Sequence, residues 1–97
     1  MDVELINQAI VTSIQDSAIP RVDLQKLIDR YGQDDGANLG DRVIGIVQEA
    51  VAMPIDWGTK TLVEGVNDIM GRFSEKHPEL SPDALAEIGR CVGWQLR

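Results

Sequence analysis

The sequence predicts an all-α protein, a compact bundle of four to five amphipathic helices. Three observations carry that expectation. Apolar residues recur three and four positions apart along most of the chain, which is the spacing of one helix face. Glycine or proline stands at Pro20, Gly32, Gly36, Gly40, Pro54, Gly58, Pro78 and Pro82, leaving stretches of helix length between them. No stretch shows the strict alternation of a half-buried strand. Val-Ile-Gly-Ile-Val at 43–47 would suit a buried strand in isolation, but it lies inside a longer helical pattern.

The first helix is expected from Val3 to Ala18, with Val3, Ile6, Ile10 and Ile14 as its apolar stripe. Asp2 is the candidate N-cap, Met1 and Ile6 occupy staple positions, and Pro20 closes the segment. The second is short, Leu24 to Tyr31, capped by Asp23, with Leu24, Leu27, Ile28 and Tyr31 inward and Gly32 as the left-handed stop. Gln33 to Asp41 holds two glycines and three aspartates and reads as a nine-residue polar loop. Asn38 is then the expected cap of the third helix, which buries Val43, Ile46, Val47, Ala50 and Val51 and stops before Met53-Pro54. The fourth is expected to start between Asp56 and Thr59 and to run to Lys76. It turns Leu62, Val66, Ile69, Met70 and Phe73 inward and sets Lys60–Glu64 and Asp68–Arg72 pairs outside. The fifth has the clearest start: Ser81 as cap, Pro82 in the first helical position, Asp83 in the first turn, and Leu80 with Leu85 as a staple. Leu85, Ile88, Val92 and Leu96 continue its stripe.

Composition bounds the function. With 97 residues, the chain is expected to form one helical domain, 1–97. An apolar fraction of 43% is too high for an intrinsically disordered tail. No apolar run approaches the roughly 18–20 residues of a membrane helix, so no membrane partner is expected. One cysteine, Cys91, builds neither an internal disulfide nor a zinc site and fits a reducing compartment. The acidic N-terminus lacks the positive charge of a signal peptide, so the expected location is the cytoplasm. A net charge of −7 argues against binding nucleic acid through its phosphates.

The chemistry-bearing residues do not assemble a catalytic set, and the expectation is no enzyme, no cofactor and no metal. Asp34-Asp35-Gly36 invites a calcium-loop reading. With Gly36 at loop position 6, position 1 is Tyr31; with Gly40 there, positions 3 and 5 are Ala37 and Leu39, and both registers fail. His77, between Glu75 and Glu79, reads as a complement to the negative end of a helix rather than a ligand. Cys91 has no histidine partner and reads as an inert thiol. Gly89 and Gly93, four apart, suit close approach of a neighbouring helix, or a homodimer contact. Trp57 and Trp94 are expected in the core. Asp16-Ser17-Ala18 resembles the Asp-Ser-Leu of acyl carrier proteins. In that family the serine opens a helix, whereas Ser17 falls at a helix end before Pro20, so no phosphopantetheine site is carried over.

Charge placement is the remaining functional signal. Residues 1–41 hold eight acids and three bases, a net of −5; residues 42–97 hold eight and six, a net of −2. The excess gathers at Asp29, Asp34, Asp35 and Asp41, which with Tyr31 form the expected partner-binding surface; the alternative is a merely solvated surface. In size, acidity and helical content the chain resembles small bacterial immunity proteins and antitoxins. That resemblance implies a basic, toxin-like protein partner that the chain would block. The other expectations are a helical regulatory or DNA-associated domain, or an oligomeric accessory subunit. Against the DNA reading, Leu24–Tyr31 and Asp41–Met53 are not basic helices, and the expected loop between them is long for a helix-turn-helix.

Overall fold

A computed structural model describes residues 3–16, 18–55 and 57–96. The helices are α1 (Val3–Ile14), α2 (Leu24–Tyr31), α3 (Gln33–Val51), α4 (Leu62–Lys76) and α5 (Pro82–Gln95), with no strand among the described residues. The all-α bundle is therefore as expected. The Asp2 cap, the Met1–Ile6 staple, Ser17 and an α4 start at Asp56 lie outside the described residues.

α1, α3 and α5 pack on one another and form the centre, while α2 lies on α3 and α1, and α4 lies chiefly on α5. The core runs along this centre: Ile10 and Ile14 from α1, Leu39 and Val43 from α3, Ile88 and Val92 from α5. Leu27 from α2 and Ile69 and Phe73 from α4 close it from the two flanks. The molecule measures 45 × 27 × 18 Å, with a radius of gyration of 13.4 Å.

α1 ends earlier than the proline predicts. Asp16 adopts φ 61°, a left-handed conformation that Asp tolerates better than most residues, and this turns the chain well before Pro20. The loop is then tied back by the Asp23 N–H, which donates to the Ser13 carbonyl at 2.9 Å. Val3, expected on the buried stripe, is exposed, whereas Ile6, Ile10 and Ile14 are buried.

α2 has the expected limits. The Asp23 carboxylate accepts from the Gln25 N–H at 3.1 Å, and Gly32 at φ 96° reverses the chain. The nine-residue loop and the Asn38 cap are corrected: α3 starts at Gln33, and Gly32 alone joins α2 to α3. Gly36 and Gly40 present bare backbone to α2 instead of breaking the helix. A Cβ on Gly36 would lie 2.5 Å from the Ile28 Cα, and one on Gly40 2.2 Å from a Leu24 methyl. The junction is thus shorter than a helix-turn-helix needs, not longer.

α4 also starts later than expected. Trp57-Gly58 forms a turn, with the Lys60 N–H donating to the Trp57 carbonyl, and Thr61 caps the helix. The Glu64 carboxylate returns to the Thr61 N–H at 3.2 Å, completing a capping box, and Lys60 of the expected Lys60–Glu64 pair lies before the helix rather than in it. Asp68–Arg72 forms as expected, at 3.0 Å, and Arg72 also donates to the Pro54 carbonyl at 2.7 Å. At α5 the Ser81 hydroxyl accepts from the Ala84 N–H at 3.1 Å, with Pro82 opening the helix.

Candidate functional site

The expected contact residues all lie on helices, including the three aspartates expected in a loop. Asp29 and Tyr31 belong to α2, Asp34 and Asp35 to the first turn of α3, and Asp41 to α3 further on. All four aspartates are exposed. Asp34 and Asp35 sit where a helix N-terminus favours negative charge, which is why acids are tolerated side by side there.

The four carboxylates do not form one patch. Asp29 accepts from the Gln25 side chain at 2.9 Å and lines a shallow cleft between α1 and α2 beside Lys26 and Arg30. Residues seven apart on a helix fall nearly on one line, about 10.5 Å from each other. Asp34 and Asp41 therefore share a line along α3, on the side away from buried Gly36, Leu39 and Val43, and Asp35 lies about 100° round from it. None of Asp34, Asp35 and Asp41 makes an ion pair among the described residues. Tyr31 is half-buried; its hydroxyl is buried without a hydrogen-bond partner, and the Arg30 guanidinium lies 5.5 Å from its ring centroid. Its ring packs against the core.

A second cluster was not foreseen. His77 caps the C-terminus of α4 and uses both ring nitrogens: Nδ1 meets Glu79 at 3.1 Å, and Nε2 meets Glu49 of α3. Lys76 also reaches Glu49, at 3.5 Å, and the Phe73 ring lies 4.6 Å from the imidazole. The imidazole hydrogen bond, with Lys76 nearby, holds the Glu49 carboxyl below its ordinary range. The Glu79 carboxyl is lowered first by its own backbone N–H and then by His77. Sequence reading saw His77 and Glu79 two residues apart, but nothing local marks Glu49, 28 residues upstream. The cluster's geometry is a clasp. Its two carboxylates grip opposite nitrogens, so they do not converge on a common point, and no group able to hold a metal ion is found among the described residues.

The remaining candidates have plain structural roles. Burial, with Glu87 nearby, pushes the Cys91 thiol up to about 11, which removes its nucleophilicity at neutral pH. Gly89 and Gly93 face Met70 and Val66 of α4 at ordinary contact distance. Trp57, expected in the core, is only half-buried and lies outside it, covering Gly65, where a Cβ would fall 2.3 Å from the indole. Trp94 departs further from the expectation of burial: it is 38% exposed.

No family model matches the chain, and no curated protein and no solved structure matches it. No helix among the described residues is long and apolar enough to cross a membrane.

Proposed function

We propose that this chain is a small acidic protein-binding module that meets a basic protein partner through the exposed side of α3. The observation that carries this reading is the line of Asp34 and Asp41, with Asp35 beside it, exposed and without ion pairs among the described residues, in a chain of net charge −7. Carboxylates already neutralised by intramolecular cations have little charge to offer a partner; these three keep theirs. Complementary charge of this kind accelerates encounter and fixes orientation, while apolar anchors supply most of the affinity.

The narrower reading is a stoichiometric inhibitor of a toxin-like protein, in the manner of an immunity protein or antitoxin. A toxin that acts on nucleic acid carries a cationic surface, and a helix edged with carboxylates can occupy it as the phosphates would. Affinity capture from the native host, followed by binding kinetics on the recovered partner, tests both levels. The association rate should fall steeply with salt. The D34K/D35K/D41K variant should lose most of that rate, and D29K, on the α1–α2 side, should lose little. Association indifferent to both salt and the triple substitution would overturn the reading. A partner that is not a toxin would overturn only its narrower form.

A further inference from the structure

A cleft of about 420 Å³ opens where the α1–α2 connection crosses α3 and the end of α5. Its lining is apolar for the most part, with Val22 from the connection, Ile44, Val47 and Val51 from α3, and Cys91 from α5, and the amides of Gln48 and Gln95 border it. Small-molecule sites have this character, an apolar hollow of a few hundred Å³ with a small number of placed polar groups. Burial keeps the Cys91 thiol protonated at neutral pH, so this wall stays uncharged.

The charged group among the lining residues is Arg21. It lines the cleft, is exposed, and makes no hydrogen bond or ion pair among the described residues. That is unexpected in a chain whose acids outnumber its bases 16 to 9. The acids nearest in sequence are otherwise disposed. Asp23 caps α2, and Asp16 lies across a separate shallow cleft that Arg21 also borders, without an ion pair. Lys26, the other cation there, is spent on the Gln15 carbonyl at 2.7 Å. An unpaired guanidinium beside an apolar hollow matches a ligand with an anionic head and a hydrocarbon body, and guanidinium geometry suits a carboxylate in particular.

We infer that this cleft is a binding site for a small amphipathic carboxylate, its hydrocarbon chain lying on Val22, Val47 and Val51 and its head on Arg21. The site is separate from the acidic line of α3 and does not depend on the proposed protein partner.

The test is an amide NMR titration of the full chain at neutral pH with octanoate, and in parallel with 1-octanol, which has the same chain length and no charge. Octanoate should give saturable shifts confined to residues 20–22, 44–51 and 91–95, and should bind more tightly than octanol. Arg21→Gln, an exposed change that leaves the core untouched, should weaken octanoate about tenfold, the scale of one charge-assisted hydrogen bond, and leave octanol unchanged. Shifts that fail to saturate or that spread over the chain would overturn the proposal. So would an Arg21→Gln variant that binds octanoate as the parent does, or that loses both ligands equally.

Discussion

At the scale of single residues, the corner between α4 and α5 is held by groups that no local pattern announces. Asn7 of α1 spans it: its side-chain NH2 donates to the Glu79 carbonyl at 3.0 Å, and its side-chain oxygen accepts from the Ser81 N–H at 2.9 Å. One amide thus satisfies two backbone groups just before α5, where a helix start leaves donors unmet. Asn7→Ala should cost about 1–3 kcal/mol, the sum of two modest hydrogen bonds. Urea unfolding should show a lower midpoint with an unchanged slope. The clasp at His77 adds a pH dependence. The carboxyls of Glu49 and Glu79 are both held below their ordinary value of 4.5. A carboxyl lowered by folding contributes stability that is complete above its unfolded value and is lost as the pH falls through its folded one. The stability these two groups contribute should therefore decline below about pH 4.5 as they take up protons. His77→Gln should flatten the decline, because it removes the main cause at Glu49. It should not abolish it, because Glu79 keeps its own backbone N–H. Unfolding midpoints measured from pH 3 to 7 in both proteins would check this.

At the scale of elements, the instructive helix is α3. Its glycines differ sharply in what surrounds them. Gly36 faces the backbone of α2, where an added Cβ would sit 2.5 Å from Ile28, whereas Gly45 has nothing within 4 Å. Alanine is the better helix former at both positions by up to about 1 kcal/mol. Gly45→Ala should realise that gain as a higher melting temperature. Gly36→Ala should instead destabilise by roughly 1–3 kcal/mol, because two backbones must move apart. The same contrast shows why the start of α3 was not legible in the sequence. A glycine that turns the chain and a glycine that admits a neighbouring helix look alike until the neighbour is known. Asp34-Asp35 favoured the wrong choice, since acids suit loops and first turns equally. The start of α5 was legible because Ser81, Pro82 and Asp83 act through local geometry alone. Thr61 to Glu64 carried an equally local signature, the capping box; the earlier start expected at Asp56–Thr59 left it in the helix interior.

At the scale of the whole molecule, the excess of negative charge could be read from composition, but its distribution could not. Which side of a helix an acid occupies depends on which side is buried, and the corrected start of α3 changes what faces α2. Asp29 consequently parts from the others toward Lys26 and Arg30, while Asp34 and Asp41 align. The packing is uneven in another respect. α1, α3 and α5 each lean on two partners of the central group, whereas α4 leans mainly on α5 and touches α3 sparsely. Amides of α4 should exchange with deuterium faster than those of α1 and α5, and His77→Gln, which loosens the hold on Glu49, should widen that gap.

The peripheral seat of α4 has a consequence for how the protein would fail. Swinging that one helix outward uncovers Ile69 and Phe73 together, both otherwise sealed from water, while the other four helices stay assembled. Gentle warming should therefore produce sticky, nearly native particles before it produces unfolded chains. Turbidity should rise ahead of the loss of helical circular dichroism, and tethering α4 to α3 should bring the two events back into step.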